Sequence, residues 1–203
     1  ENDLSPYAEK AELLCLPDAL FAAVCDTENP QGILAVCKKL TWDTHTVFSK
    51  KSPFLLLAEE LNDPGNLGTV IRTADACGAD AVFLSKGSVD LYNPKVLRST
   101  MGSIFHVPVF QNADLPSLSQ KLKAQRIPLY AAHLKGNRFP YTLPLQGACA
   151  FLIGNEARGL SEEAASLCDS WVKIPMPGQA ESLNASVAAG VLLYEVVRQR
   201  LEQ

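Results

Sequence analysis

The sequence lacks any apolar stretch long enough to cross a membrane. Its longest apolar runs, such as Phe54 to Leu57 and Val191 to Leu193, are far shorter than the roughly 20 residues that a membrane-spanning helix needs. The first residues also lack the basic and then apolar pattern of a signal peptide, and the chain begins at Glu1 without a Met. We therefore expect a protein with no membrane segment, whose natural sequence begins further upstream.

Paired cysteines and clustered histidines are missing as well. The six cysteines are widely spaced and form no CxxC motif, and His45, His106 and His133 have no partner at metal-ligand spacing. Several cysteines lie in apolar stretches, where a free thiol is usually a core residue. The sequence thus predicts no metal site, and it predicts a reduced, cytoplasmic protein with structural cysteines.

An excess of basic residues is the third absence. The 18 Lys and Arg against 22 Asp and Glu give a formal net charge of −4. Proteins that coat nucleic acid non-specifically neutralise many phosphates with Lys and Arg, so this composition argues against that class. It remains compatible with a local basic site.

Short apolar runs alternate with helical patterns from about residue 54 onward, which is typical of an α/β domain with a mostly parallel sheet and helices on both faces. Helices are expected to begin at Asn93-Pro94 and at Ser161-Glu162-Glu163. Strands are predicted for the runs 54–58, 81–84, 107–110, 128–132, 148–153 and 171–174.

The last helix is predicted to run from about Ser182 to Leu201. An apolar stripe follows its length, which we interpret as core or as a dimer contact; it consists of Leu183, Val187, Val191, Tyr194 and Leu201.

Residues 1–52 have a different composition. Cys15 to Val24 is apolar, a turn follows at residues 27–32, and Ile33 to Cys37 is predicted to be a strand, ahead of a polar stretch that contains Lys38-Lys39 and Lys50-Lys51. We interpret residues 1–52 as the end of a separate small domain plus a linker, and residues 53–203 as the second domain.

A first candidate segment, Asn62 to Gly78, directly follows a strand. Gly65 and Gly68 are expected to make a tight strand-to-helix turn, with Arg72 about one helical turn past Gly68. Such a turn directs helix N-terminal amides at an anion. Alone, the segment favours the simpler interpretation in which Asn62 and Asn66 are turn formers and Arg72 is a surface ion-pair residue.

A second segment reads Phe151-Leu152-Ile153-Gly154-Asn155-Glu156-Ala157-Arg158-Gly159-Leu160. An apolar strand ends in a glycine, and a second glycine closes the loop before a helix. In parallel α/β sheets, ligands bind outside the carboxyl ends of the strands, where this loop is expected. An ordinary strand-to-helix loop is the alternative.

A third segment runs from Ile174 to Gly190. A Pro175-Met176-Pro177-Gly178 loop leads into a helix whose first turn carries Ser182, Asn184 and Ser186. Since Ser and Asn are also common helix caps, the segment alone does not establish a function.

In this order and spacing, the three segments resemble motifs one, two and three of the SpoU (TrmH-like) RNA 2′-O-ribose methyltransferases of the SPOUT superfamily. The corresponding patterns are N-x-G-x-x-x-R-T-A, G-N-E-x-x-G-L and I-P-M-x-G-x-x-E-S-L-N-x-S-V-A. The resemblance covers about residues 54–200, with Ala185 standing where the family commonly has Val.

The resemblance implies a C-terminal deep trefoil knot that forms the pocket for S-adenosylmethionine, a homodimer, and a structured RNA substrate, either rRNA or tRNA. It implies that Arg72 is catalytic and that Asn66, Glu156, Ser182 and Asn184 arrange Arg72 and the ribose. The end of the strand at Tyr130 to His133 is expected near the cofactor. The cofactor-binding residues implied are Ala131, Ala132, Leu152, Gly154, Asn155, Gly159, Ile174, Met176, Leu183 and Ser186. Residues 14–40 resemble, less specifically, the end of the ribosomal-protein-like substrate-binding domain that precedes many of these enzymes.

Two roles for Arg72 remain open. It either accepts the proton of the 2′-hydroxyl, although arginine is a poor base because its pKa exceeds about 12, or it binds a substrate phosphate through two hydrogen bonds while water takes the proton. Glu156 is expected to orient Arg72 through an ion pair, or else to be an ordinary carboxylate at a helix start.

Two other classes of protein fit the sequence less well than an enzyme of this family. A catalytically inactive RNA-binding module that retains the SPOUT fold would be expected to lose Arg72 or Asn184, yet both are present. A Rossmann oxidoreductase needs a G-x-G-x-x-G fingerprint, which the Gly65-Asn66-Leu67-Gly68 segment does not supply. The sequence therefore favours an S-adenosylmethionine-dependent RNA ribose 2′-O-methyltransferase.

Overall fold

The computed structural model describes residues 10–25, 27 and 29–202 and divides into two compact units, which meet in sequence between Lys39 and Leu40. In the first unit, a short helix α1 (Asp18–Val24) has no buried residues. The strand predicted for Ile33 to Cys37 is wrong, because this segment has no regular structure. A strand requires a hydrogen-bonded partner, and the described part of this unit contains none.

The second unit alternates strands and helices along the chain. The strands are β1 (Phe54–Ala58), β2 (Ala81–Ser85), β3 (Val109–Ala113), β4 (Leu129–Ala132), β5 (Cys149–Ile153) and β6 (Ser170–Val172). The helices are α2 (Thr44–Phe48), α3 (Pro64–Ala76), α4 (Pro94–Thr100), α5 (Leu115–Ala124), α6 (Glu162–Ser166) and α7 (Ala185–Leu201), and short 3-10 helices lie at Ser103–Phe105 and Pro140–Thr142.

All six strands pair in parallel in the order β3-β2-β1-β5-β4-β6. The three longest apolar runs, β1, β2 and β5, are buried along their whole length, as expected for strands covered on both faces. Within β1, Leu56 joins the core that includes Ile71 of α3, and Leu55 joins the core that includes Leu122 of α5. The predicted α/β fold class is therefore confirmed.

The strand boundaries differ from prediction where the backbone is diverted. β3 begins at Val109 because Pro108 has no amide to donate and the amide of Val107 is bound to the Ser103 carbonyl at 3.1 Å. β6 ends at Val172 because the next amide, that of Lys173, donates to the Arg138 carbonyl at 2.8 Å. The chain after β6 therefore runs against the loop that follows β4.

Helix starts follow the capping residues. Asn93 and Ser161 cap α4 and α6 as predicted. The last helix begins at Ala185 rather than near Ser182, since the Asn184 side chain accepts the amides of Ser186 and Val187. Its predicted stripe is not core: Val187, Val191, Tyr194 and Leu201 are exposed, and Leu183 precedes the helix. The buried face instead carries Ala189, Leu192, Leu193 and Val196.

The expectation of buried cysteines holds for two of the six residues. Cys77 and Cys149 are buried, whereas Cys25 and Cys168 are partly buried and Cys15 and Cys37 are exposed. Burial raises the pKa of Cys77 to about 11, so this thiol stays protonated at neutral pH and is unreactive.

Candidate active site

A pocket of about 230 Å³ lies at the carboxyl edge of the sheet, where the chain leaves β4, β5 and β6. Parallel α/β proteins bind ligands at this edge. Three segments line it, each beginning with the last residue of a strand: Ala132, His133 and Leu134 at the end of β4; Ile153 to Gly159 at the end of β5; and Val172, Ile174, Met176, Ser182, Leu183, Ala185 and Ala188 from the end of β6 onward. The second and third predicted segments therefore converge.

Most of the predicted cofactor-binding residues line this pocket, but Ala131, Leu152 and Ser186 do not. Successive strand residues face opposite sides, and Leu152 packs into the core on the α5 side of the sheet, so its neighbour Ile153 lines the pocket. The Ser186 hydroxyl donates to Asn184 Oδ1 at 2.6 Å. Those that line it are Ala132, Gly154, Asn155, Gly159, Ile174, Met176 and Leu183.

Sequence reasoning missed Ala185 and Ala188 as pocket residues. Their small side chains leave space at the start of α7, and a small residue in a first helical turn is a weak signal because alanine is also the best helix former. Ala157 was missed in the same way, as a member of the loop after β5 without a distinctive side chain.

The loop after β5 is a tight, self-paired turn. Asn155 and Gly159 exchange backbone hydrogen bonds of 3.0 and 2.9 Å, and a Cβ on Gly154 would lie 2.2 Å from the Gly159 carbonyl carbon. The Asn155 side chain donates to the Glu60 carbonyl at 2.8 Å and accepts the Ala157 amide at 3.0 Å. This side chain therefore holds the loop against the end of β1, and only glycine fits at position 154.

A polar network joins the pocket to α3 and α7. Glu156, at the pocket, accepts the Asp63 amide at 2.9 Å and the Asn66 side-chain amide at 3.2 Å. Asn184 Nδ2 in turn donates to Asn66 Oδ1 at 2.9 Å. The side chains of Glu156, Asn66 and Asn184, one from each predicted segment, are thus linked by consecutive hydrogen bonds.

The Glu156 carboxylate is held in its charged form. Burial acts to raise the pKa of Glu156, but the hydrogen bonds from backbone amides, led by that of Asp63, and from Asn66 together lower it below its usual value. Glu156 therefore places a negative charge at the edge of the pocket at neutral pH.

Arg72 lies outside the pocket lining, exposed on α3. The expected ion pair between Arg72 and Glu156 is absent, because Glu156 is occupied by Asn66 and by the start of α3. Arg72 follows Asn66 by six residues, which is about 9 Å along a helix. Within the described part of the chain its guanidinium has no ion-pair partner.

Gly65 and Gly68 lie inside α3 rather than in a turn before it, since Asp63 caps the helix and Pro64 starts it. A Cβ on Gly68 would lie 2.2 Å from the Cβ of Ser99 on α4, so this glycine permits close helix packing. The Asn66 amide donates to the Asp63 carboxylate, and the Asn62 and Asp63 amides just before the helix donate to the Glu156 carboxylate. The anion that these amides meet in the structure is therefore a side chain of the protein itself.

His133 lines the pocket and stacks on Trp171, which lies outside the lining. Their rings stack at 4.3 Å between centroids, and His133 Nδ1 accepts the Lys135 amide at 3.1 Å. Burial, with Lys135, lowers the pKa of His133, so the ring is neutral at pH 7. Of the predicted stretch Tyr130 to His133, only Ala132 and His133 line the pocket.

The pocket fits S-adenosylmethionine in its chemistry. Ile153, Val172, Ile174 and Leu183 supply apolar walls, and Glu156 supplies negative charge that suits a cationic ligand. The described residues contain no group of three or more His, Cys, Asp and Glu that could hold a metal ion. No described helix is long and apolar enough to cross a membrane. Fold and site together define an α/β enzyme with a cofactor pocket at the carboxyl edge of its sheet.

Comparison with known proteins identifies the family. Residues 53–194 match the SpoU rRNA Methylase family, and the chain belongs to it. It is 43% identical over 182 residues to the 23S rRNA (guanosine(2553)-2′-O)-methyltransferase RlmP of Bacillus subtilis, covering 89% of this chain and 71% of that protein. It is 33% identical to the 23S rRNA (uridine(2479)-2′-O)-methyltransferase of Streptomyces viridochromogenes, covering 99% of this chain and 74% of the relative.

Solved structures agree. The SpoU methyltransferase AviRb from Streptomyces viridochromogenes in complex with AdoMet superimposes with a TM-score of 0.74 at 35% identity, over 79% of this chain and 66% of that one. An AdoMet-bound rRNA methyltransferase from Sinorhizobium meliloti gives 0.79 at 28% identity, over 90% and 70%. The predicted family, cofactor and class of enzyme, an S-adenosylmethionine-dependent RNA ribose 2′-O-methyltransferase, are confirmed.

Proposed function

We propose that this protein methylates a ribose 2′-hydroxyl of ribosomal RNA, with the pocket after β4, β5 and β6 as its S-adenosylmethionine site. The observation that carries the proposal is the network Glu156, Asn66, Asn184, which links that pocket to the helix bearing Arg72. The rRNA substrate rests on the relatives whose names specify 23S rRNA.

The apolar walls, the backbone of the Gly154 loop and the segment from Ile174 to Leu183 would hold the cofactor. When bound, S-adenosylmethionine would supply an electrophilic methyl group on a sulfonium, and the leaving group would be a neutral thioether. The protein must therefore position the ribose and neutralise charge that develops on its oxygen. Ser182 at the pocket and Asn184 beside it supply hydrogen bonds for this.

Arg72 acts as an electrostatic clamp. Its guanidinium is exposed and has no carboxylate partner among the described residues, so its donors are available for a substrate phosphate. A fork of N–H groups binds phosphate through two parallel hydrogen bonds. Water then takes the proton of the 2′-hydroxyl as the oxygen gains its methyl group.

Further parts of the proposal concern the whole protein. The chain after β6 passes through the loop after β4 as a trefoil knot, which is supported by the Lys173 to Arg138 hydrogen bond. The protein is a homodimer in the cytoplasm, and residues 1–52 are the end of an RNA-binding domain plus its linker.

Two measurements test the function. Calorimetry is expected to show one S-adenosylmethionine site per protomer, and NAD binding in its place by a folded sample would reject the cofactor site. Mapping 2′-O-methyl groups in RNA from cells lacking the gene is expected to reveal one missing methyl group in large-subunit rRNA. An unchanged methylation map, together with no methyl transfer in vitro, would favour the RNA-binding module without catalysis.

A further inference from the structure

A cationic and apolar surface borders the helix that carries Arg72. Lys95 and Arg98 lie on α4, and Met101 and Phe105 follow it; all four are exposed, Met101 by 72% and Phe105 by 56%. We call these four residues the α4 rim. We propose that the α4 rim binds the RNA strand flanking the target nucleotide, with phosphates at Lys95 and Arg98 and bases on Met101 and Phe105.

The α4 rim lies next to Arg72 because α3 and the region of α4 pack together on both sides of that residue. One helical turn before Arg72, Gly68 meets Ser99 so closely that a Cβ would lie 2.2 Å away. Three residues after it, Asp75 Oδ2 contacts His106 Nδ1 at 3.0 Å. The segment from Lys95 to His106 therefore borders α3 on the side of Arg72, where an RNA strand bound at Arg72 can contact it. The inference rests on the proposed function.

The cations of the α4 rim are available for phosphate. Lys95 and Arg98 have no ion-pair partner in the described part of the chain, whereas Lys50, Arg158 and Arg198 pair with carboxylates. Lys95 and Arg98 are three residues apart and share one face of α4. In a chain with a net charge of −4, two free cations beside exposed apolar side chains favour an anionic partner that also has apolar faces, as RNA has, over a basic or neutral partner.

The backbone at Met101 supports a binding role for its side chain. Met101 ends α4 in the left-handed conformation, with φ of 50°, and Gly102 follows at 91°. Glycine or asparagine normally occupies such a position because a larger residue is strained there. The nearby residues Thr100 and Ser103 are buried. Met101, which has the strained backbone, therefore differs from them in holding an apolar side chain in solvent.

Unpaired bases have apolar faces that stack on aromatic and apolar side chains, and their phosphates bind cations. The α4 rim offers both kinds of contact close together. Lys95 and Arg98 on α4 can bind phosphates, and Met101 and Phe105 just after α4 can stack on bases. A strand of unpaired or looped RNA is therefore the occupant that matches the α4 rim in charge and in apolar character.

The charged half is tested with a matched pair of double variants of the full chain. Lys95→Gln with Arg98→Gln removes two charges from the rim, and Lys123→Gln with Arg126→Gln removes two exposed charges at the end of α5. The probe is a fluorescein-labelled 12-nucleotide single-stranded RNA of mixed sequence. The rim variant is expected to lower the slope of log affinity against log salt by about 1.4, or about 0.7 per phosphate, and the α5 variant to leave it unchanged.

The apolar half is tested with substitutions that separate binding from folding. Met101→Asn suits the left-handed backbone, so it is expected to keep or raise the melting temperature while weakening RNA binding. Phe105→Ala is expected to weaken binding about fivefold or more, and Phe105→Trp to retain it, because stacking depends on an aromatic face. S-adenosylmethionine affinity, measured by calorimetry, is expected to stay unchanged in every rim variant.

Each other outcome overturns the proposal for the α4 rim. RNA affinity and salt slope equal to the parent in all rim variants would show that RNA binds elsewhere. A change in sedimentation without a change in RNA affinity would assign the rim to a protein interface. Methyl transfer by the parent chain to deproteinised ribosomal RNA is measured in parallel. No transfer by the parent would contradict the proposed function itself, whereas transfer by the parent with unchanged RNA binding in the rim variants would contradict only the role of the α4 rim.

Discussion

Arg72 is the residue on which the proposed chemistry depends most directly. Arg72→Ala is expected to lower the rate of methyl transfer about a hundredfold or more, the usual effect of removing one donor that stabilises transition-state charge. Cofactor affinity is expected to stay nearly intact, because Arg72 lies outside the pocket lining. Single-turnover rates and calorimetry on the same samples measure the two effects.

Arg72→Lys provides the matched control. It keeps the charge but replaces a planar fork with a point ammonium, so it is expected to restore little activity. Full activity in the lysine variant would contradict binding of phosphate through two parallel hydrogen bonds.

Asn184 has two separable tasks, which define a second prediction. Its Oδ1 caps α7 and its Nδ2 donates to Asn66. Asn184→Ala loses both and is expected to lower the free energy of unfolding by about 1 kcal/mol. Asn184→Asp keeps the cap without the donor, so it is expected to retain stability and lose activity about two- to tenfold, since one hydrogen bond contributes about 0.5–1.5 kcal/mol.

Denaturant unfolding and methyl-transfer rates, measured on both variants, distinguish these tasks. Equal activity of Asn184→Asp and the parent would mean that the contact with Asn66 does not position the site. Unchanged stability of Asn184→Ala would contradict the capping role.

At the scale of single residues, motif spacing predicted which segments meet but not how each side chain is used. Glu156, Asn66 and Asn184 were all predicted as site residues, and the structure connects them. The ion pair between Glu156 and Arg72 was wrong, because pairing depends on helical phase and on competing amides, which a linear pattern does not contain.

Among the helices, Gly68 and Gly190 have different amounts of space around them, so alanine substitutions at the two positions are expected to change the stability of the fold in opposite directions. In α3, a Cβ on Gly68 would lie 2.2 Å from Ser99 Cβ and 2.8 Å from the Val96 carbonyl oxygen. Because backbone must move, Gly68→Ala is expected to destabilise the fold by about 1–3 kcal/mol. In α7, a Cβ on Gly190 meets only the Thr73 methyl group, at 3.7 Å, so Gly190→Ala is expected to stabilise by about 0.5–1 kcal/mol.

Thermal unfolding of the two variants beside the parent checks both signs. A Gly68→Ala variant as stable as the parent would mean that α3 and α4 can separate without cost. A destabilised Gly190→Ala variant would indicate that α3 and α7 are packed more tightly than the structure shows.

The sequence largely predicted where the strands lie along the chain, but it did not predict the residues at which they begin and end. Apolar runs located all six strands, of which β1, β2, β5 and most of β4 are buried in the sheet. The partly exposed strands β3 and β6 were displaced by turns that Ser103 and Arg138 make with residues close to them in space. The strand predicted at Ile33 to Cys37 failed since apolar composition alone does not provide a partner strand.

At the scale of the whole molecule, the strand order and the pocket follow from long-range pairing that composition does not reveal. The order β3-β2-β1-β5-β4-β6 brings the ends of β4, β5 and β6 to one edge, so three separate segments of the chain between Ala132 and Ala188 line one pocket. Only the combination of three motifs, through family resemblance, anticipated that convergence.

The exposed stripe of α7 leads to the last prediction, which concerns assembly. Val187, Val191, Tyr194 and Leu201 are exposed by 50, 42, 57 and 80% on a helix whose opposite face is core. Burying this stripe against a second copy removes apolar surface from water, which is favourable in proportion to its area. Sedimentation equilibrium is therefore expected to give about twice 22.0 kDa.

Val191→Glu combined with Tyr194→Glu is expected to give a monomer that keeps its helical circular dichroism, because neither side chain contributes to the core on the other face of α7. Val36→Glu, at a site 96% exposed in the first unit, is the matched control and is expected to leave the dimer intact. A parent chain that sediments as a monomer at micromolar concentration while fully active would refute the dimer. Dissociation by the control alone would place the interface on the first unit rather than on α7.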